Sequence, residues 1–222
     1  IACSVVRPHG TRAARTYLQW GMGSHTAPVQ PAHTSSREFR AMAHLSNTEF
    51  QPLSIAVLTV SDTRNIDSDT SGQALIDGLQ SAGHTLAERA IVKDDVWQIR
   101  ARVCSWIASE NVQVVLVTGG TGFTARDNTP QAVQPLLDKD VDGFGELFRY
   151  VSLSEIGTST VQSRALAGMS NGTLVCCLPG STNACRTAWN KILVEQLDSR
   201  TKPCNFVPHL KASAVEYCGP RS

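Results

Sequence analysis

The stretch Val112–Asp127 limits the fold more than any other part of the chain. An almost unbroken apolar run, Val112-Gln113-Val114-Val115-Leu116-Val117, ends in Thr118-Gly119-Gly120-Thr121-Gly122. A strand this apolar is buried on both faces, as in a parallel sheet covered by helices. The glycines that follow let the backbone turn sharply and bring free amide N–H groups close to phosphate oxygens. Arg126-Asp127 comes next, then Asn128-Thr129-Pro130, where the proline suits the first turn of a helix capped by Asn128 or Thr129. Asp127 is placed to hold a divalent metal against those phosphates. A glycine-rich turn without a ligand is the competing reading, and the strand before, the acid after and the helix beyond weigh against it.

The flanking segments repeat the pattern. Ser54–Val60 reads as a first central strand closed by Ser61-Asp62-Thr63-Arg64. The loop Asn65–Asp69 leads to Thr70-Ser71, an N-cap for a helix carrying Ala74, Leu75, Leu79 and Ala82 and stopped by Gly83. Asp69 lies where open α/β sheets bind ligands, though a capping role alone fits its spacing as well. Thr85–Val92 gives a second strand. Val96, Ile99, Val103 and Ile107 give a helix to about Glu110, with Trp97 and Trp106 at its edges. The order β-α-β-α-β predicts a parallel sheet with right-handed crossovers.

Beyond the glycine loop the pattern predicts a short helix near Gln131–Leu137, a charged turn Asp138–Gly143, and a segment Phe144–Tyr150 in which Glu146 and Arg149 share a helix face. Gly157–Ala165 is rich in hydroxyls around the lone cation Arg164, a composition suited to an oxyanion-bearing or heterocyclic substrate. Thr173–Leu178 is another buried strand. It runs through Pro179-Gly180-Ser181 into a helix near Thr182–Leu197, with Ser181 as cap and first-turn amides free for phosphate. Cys185, in that first turn, is read as a bystander. Gly168-Met169-Ser170-Asn171-Gly172 matches the nucleophile-elbow pattern G-x-S-x-G, but the strand comes after it, so it reads as a turn into a strand. No Gly-Lys dipeptide, no G-x-G-x-x-G after the first strand and no zinc-like His/Cys spacing is present.

A net charge of +1, from 20 basic and 19 acidic residues, gives no basic stripe for nucleic acid. No apolar run reaches the roughly 20 residues that span a bilayer. Seven cysteines without a C-x-x-C, five of them (Cys104, Cys176, Cys177, Cys185, Cys204) in or near core elements, read as reduced thiols of a cytoplasmic protein. Ile1–Gln51, Arg-rich and nearly free of acids, reads as a disordered extension, with Met42 as a candidate native start. Residues 52–211 read as one α/β domain and 212–222 as a short tail; the aperiodic stretch with Pro203, Pro208 and His209 reads as wrapping the surface or a neighbouring subunit.

Taken together, these motifs resemble the molybdenum cofactor biosynthesis protein B family, within the molybdopterin-binding group that includes the molybdopterin adenylyltransferases and the gephyrin G domain. The resemblance rests on Leu58-Thr59-Val60-Ser61-Asp62, Asp69-Thr70-Ser71-Gly72, Thr118–Gly122, Arg126–Pro130, Gly143-Phe144-Gly145-Glu146, Gly157-Thr158-Ser159 through Ser163-Arg164-Ala165, and Leu178-Pro179-Gly180-Ser181, in that order over roughly Thr48–Lys211. It implies a three-layer α/β/α domain with a mostly parallel sheet, assembled as a homotrimer or homohexamer and working with other proteins of the pathway. It further implies Mg-ATP-dependent adenylylation of molybdopterin, or, as the alternative, a non-catalytic molybdopterin carrier. Asp69 and Asp127 would lie at the reacting phosphates with Mg²⁺. Ser61, Thr118, Gly119, Gly120, Thr121, Gly122, Pro179, Gly180 and Ser181 would hold nucleotide or pterin phosphate, and Glu146, Ser163 and Arg164 would touch the ligand. Gln131 follows Pro130 where many relatives carry Glu.

Overall fold

The computed structural model describes residues 44–45 and 49–212. The extension expected over residues 1–43 and 46–48, with its candidate start at Met42, and the tail over 213–222 lie outside the described residues. Within them the elements run β1 His44–Leu45, β2 Ser54–Val60, α1 Thr70–Ser81, β3 Thr85–Val92, α2 Val96–Ala108, β4 Val114–Thr118, α3 Thr129–Val133, β5 Lys139–Asp140, α4 Asp142–Ile156, β6 Leu166–Ser170, β7 Thr173–Leu178, α5 Thr182–Ala188, α6 Val194–Gln196 and β8 Thr201–Lys202. The main sheet has the order β3-β2-β4-β7-β6-β5. Its first four strands are parallel, and β6 and β5 extend it antiparallel.

The alternation of side chains along the strands builds two cores from one sheet. Ile55 and Val57 of β2, Val114 and Leu116 of β4, and Leu174 and Cys176 of β7 face Leu75, Leu79, Phe144, Phe148, Trp189 and Leu193. Ala56, Leu58, Val115, Val117, Val175 and Cys177 face Ile99, Val103, Trp106, Ala132 and Val133 on the other side. This is the expected α/β/α sandwich. Because every residue of β4 and β7 is buried, both strands read as continuous apolar runs rather than as alternating ones.

Several local expectations are corrected. β4 begins at Val114, and Gln113 before it turns its side-chain amide to the Ser54 N–H (3.0 Å) and the Lys211 carbonyl (2.9 Å). The charged turn 138–143 contains β5, since Asp138 N–H donates to Met169 O (2.9 Å) and Val141 N–H to Ala167 O (2.8 Å). Gly168–Ser170 is itself strand, and Asn171-Gly172, both at positive φ, make the turn of a β6–β7 hairpin. Ser170 donates its hydroxyl to Leu136 O (2.7 Å), which confirms that it is no nucleophile elbow. The helix expected over Thr182–Leu197 passes through a π turn at Trp189–Leu193, and the Trp189 ring lies against the bare Cα of Gly78. Trp106 is buried rather than at an edge, while Trp97 is exposed.

Described residues on the N-terminal side of Pro52 also pack on the domain. β1 pairs with β8. The Phe50 ring lies 5.3 Å from His84 and 5.0 Å from the Arg200 guanidinium, and Gln51 N–H donates to Ser199 (3.0 Å). His84 Nδ1 accepts from Leu53 N–H (3.1 Å), so its proton sits on Nε2, a buried atom without a partner among the described residues. Burial lowers the His84 pKa from its ordinary 6.5, with the Asp198 charge opposing. The fold therefore resists a proton that the unfolded chain accepts. Stability is complete above pH 6.5 and falls as pH drops below it. In urea unfolding measured from about pH 7 to about pH 5, His84→Gln should show a shallower acid dependence than the native chain; equal slopes would remove His84 as the source.

Candidate functional site

Three loops leave the carboxyl ends of β2, β4 and β7, which lie side by side with Thr59 in register with Thr118 and Thr118 with Leu178. Their contact is close. Gly119 N–H donates to Leu178 O (3.1 Å), and Gly119, at φ +100°, presses so near β2 that an added Cβ would stand 2.2 Å from Val60 O. Gly180 in turn leaves room for the Gly119 Cα, 3.1 Å from where its own Cβ would be. Three separate sequence motifs therefore form one rim.

Asp69 sits at its centre with 1% exposure. Its Oδ2 accepts from the Thr59 hydroxyl (2.6 Å) and Arg89 (3.1 Å), and its Oδ1 from Ser71 (3.1 Å) and Gly72 N–H (2.9 Å). Arg64 adds an ion pair at 3.6 Å. Burial would raise the carboxyl pKa, but Thr59, Gly72, Arg89 and Ser71 outweigh it and hold the group below the ordinary value of 3.8. The cap of α1 is thus Asp69 rather than Thr70 or Ser71. Both Asp69 oxygens are thus engaged within the fold, and the carboxylate ties β2, β3 and α1 together.

Asp127 is the opposite case. It stands on the exposed flank of the glycine loop, where Oδ2 accepts from the Thr124 N–H (2.8 Å) and hydroxyl (2.6 Å). The Thr124 hydroxyl is the main cause of a lowered pKa; burial opposes it, and the Thr124 and Gly122 amides and the Arg164 charge add to the lowering. Two acids not singled out from sequence stand beside it. Asp94 accepts from Asn128 N–H (3.0 Å), and its Oδ2 lies 2.5 Å from where a Cβ on Gly120 would be. Burial raises its pKa, and the charges of Asp127 and Asp62 add to the rise while Asn128 opposes it. Asp62 pairs with Arg126 (2.6 Å). Among the described residues no three His, Cys, Asp or Glu side chains are arranged to hold a metal on their own.

The remaining predicted residues divide in two. Arg164 donates to Thr121 O (3.1 Å), Gly122 O and Asp127 O (2.8 Å), and its guanidinium stacks on Phe123 (5.2 Å). It clamps the glycine loop from behind. Thr118 gives its hydroxyl to Pro179 O (3.0 Å), and Ser61 accepts from Arg64 N–H (3.2 Å). Ser181 caps α5 through Ala184 N–H as expected. Glu146 is exposed and unpaired among the described residues; the pairing expected with Arg149 is absent, because Arg149 folds over Gly145 toward Ser163 O (3.4 Å). Asn128 begins α3 without a side-chain cap bond.

This loop-on-loop geometry has relatives. Residues 56–199 match the model of a probable molybdopterin binding domain. Molybdenum cofactor biosynthesis protein B of Escherichia coli strain K12 is 59% identical over 165 residues, covering 74% of this chain and 97% of that protein. The chain belongs to the molybdenum cofactor biosynthesis protein B family. A crystal structure of a molybdenum cofactor biosynthesis protein B superposes with a TM-score of 0.66 at 44% identity, over 68% of this chain and 94% of its own. The tungsten cofactor synthesizing protein MoaB from Pyrococcus furiosus does so at 0.59 and 37%, over 65% and 92%. The fold of this family thus carries the rim described above.

Sequence reasoning missed Arg64, Arg89, Asp62 and Asp94. Asp94 had a legible signal, since it lies between a strand and a helix as Asp69 does. Among the described residues the thiols divide sharply: Cys104 and Cys204 are exposed, which corrects their placement near the core, while Cys176, Cys177 and Cys185 are buried and free. Burial raises the Cys185 pKa to about 11, against a lowering bond from Thr118, and that of Cys176 to about 12. Iodoacetamide at about pH 8 should label Cys104 and Cys204 in minutes and spare the other three until denaturant is added. Rapid native labelling of Cys185, read by peptide mass mapping, would contradict a closed rim.

Proposed function

We propose that the chain binds molybdopterin and, with Mg-ATP, transfers AMP to the molybdopterin phosphate. The observation that carries this reading is the close contact of two glycine loops, Gly119–Gly122 and Pro179–Ser181, on a single rim, with the Asp127 carboxylate on the flank of the first. Family membership supports the molybdopterin part, and the name of the Escherichia coli relative supports a place in molybdenum cofactor biosynthesis.

In the transfer, an oxygen of the molybdopterin phosphate attacks the α-phosphorus of ATP. One phosphorus–oxygen bond forms, the bond to the bridging oxygen breaks, and pyrophosphate leaves. Little side-chain chemistry is demanded beyond orientation and charge neutralisation. The glycine loops supply amide donors at close approach, and Arg164 keeps the Thr121, Gly122 and Asp127 carbonyls fixed behind them. Asp127 fits a metal site completed by substrate phosphates, since Mg²⁺ takes only one or two carboxylates and keeps its other positions for water and phosphate oxygens. When bound there, Mg²⁺ supplies positive charge to the phosphates as they react. Asp94 and Asp62 add negative potential that favours a cation over bare phosphate at this edge.

Self-association as a homotrimer or homohexamer is part of the reading. Leu147, Tyr150, Leu153 and Ile156 of α4, with Val161 beyond it, expose an apolar stripe at helical spacing. Asp127→Asn should abolish AMP transfer, read as pyrophosphate release, while thermal unfolding and sedimentation mass match the native protein. Full activity in that variant would remove Asp127 from the mechanism, and a monomer in sedimentation would remove the oligomer.

A further inference from the structure

Two guanidinium groups converge on one carboxylate at the rim. Arg64 lies 3.6 Å from Asp69 and Arg89 lies 3.1 Å from it, and among the described residues neither makes a second ion pair. The side chains are 31% and 15% exposed, against 0% for Asp69. The triad therefore carries a net positive charge in a partly desolvated place, where an unmatched charge is costly and an incoming anion is favoured.

The two arginines are not equivalent. Arg89 spends its Nη atoms on Asp69, the Ile66 and Asp69 carbonyls and Gln73, and its Nε is buried without an acceptor. Arg64 reaches the other way. It donates to Ser71 and to Gly180 O (3.1 Å), so its guanidinium bridges the loop after β2 to the loop after β7. A guanidinium has five donors in a planar fork, and these contacts leave some of them free for a phosphate.

Beside Arg64 opens a cavity of about 400 Å³, lined by Asn65, Ile66, Ile91, Val92, Lys93 and both arginines, and by Asp62, whose carboxylate is paired with Arg126. Ile66 is 66% exposed in an otherwise polar loop. An apolar wall with a few placed cations matches a flat ring system carrying an anionic tail.

We propose that Arg64 is an anion-binding residue of this site, and that the cavity beside it takes the ring of a phosphorylated planar heterocycle. The proposal rests on the phosphate-transfer reading above but stands or falls separately. The adenine of the nucleotide and the pterin share the required chemistry, and the experiment distinguishes them.

The test titrates the purified full chain, Arg64→Gln, Arg64→Lys and Ile66→Asn with AMP, with molybdopterin and with inorganic pyrophosphate, following binding by calorimetry and folding by thermal denaturation. Arg64→Gln should weaken pyrophosphate and one of the two heterocycles by about 10- to 100-fold, and Arg64→Lys should recover part of that loss. Ile66→Asn should weaken the same heterocycle and leave pyrophosphate unchanged, and whether that heterocycle is AMP or molybdopterin names the occupant. Native affinity in Arg64→Gln, or an Ile66→Asn loss that includes pyrophosphate, overturns the proposal, as does failure of both heterocycles to bind the native chain. Arg64-dependent binding without any AMP transfer would overturn the proposed reaction while leaving this site in place.

Discussion

The Asp69 carboxylate has four hydrogen-bond donors on its two oxygens and two guanidinium groups within ion-pair distance, and it ties together elements far apart in the chain. Thr59 belongs to β2, Ser71 and Gly72 to α1, and Arg89 to β3, while Arg64 carries the connection onward to the Gly180 loop. Removing one partner from a buried charged pair costs about 3–5 kcal/mol, a large share of a domain's stability. The rim depends on this group for its shape. Gly72 shows how tight the fit is, because a Cβ there would stand 2.2 Å from an Asp69 oxygen.

That constraint explains a division of labour that looks redundant in the sequence. Two aspartates each follow a buried strand and precede a helix, yet they end in opposite environments. Asp69 is sealed in and satisfied, whereas Asp127 stands at the edge with its charge stabilised by the Thr124 hydroxyl and nearby amides. A buried carboxylate already shared between two arginines has little left to give an ion or a substrate. The half-buried Asp127 instead stands beside the glycine loop against Gly122, at the edge of the rim. The Asp94 pKa is raised, chiefly by burial and further by its neighbours Asp127 and Asp62.

Much of this was legible in the residues. The strands Ser54–Val60, Thr85–Val92 and Thr173–Leu178 have the observed limits because each is a short, mostly apolar run ended by a polar residue or by Pro179-Gly180, a signal local to the strand. The shared rim could also be read, since parallel strands place their following loops at one end. Partners set by packing could not be read. The Glu146–Arg149 spacing suits a pair, but the bare Cα of Gly145 gives Arg149 another place to lie. That Arg164 serves three backbone carbonyls could not be read from composition, because the carbonyls of the glycine loop that need donors become visible only in the fold. Arg64 gave no local signal, as its partners Ser71 and Gly180 lie 7 and 116 residues away.

The central claim is that this rim is a preorganised pocket for phosphate transfer rather than only a place where molybdopterin rests. It is tested most directly by incubating the purified chain with molybdopterin and Mg-ATP and following the pterin by mass spectrometry. The account predicts a species heavier by one AMP, formed in step with pyrophosphate. Molybdopterin recovered bound but unmodified, with no pyrophosphate released, would contradict it.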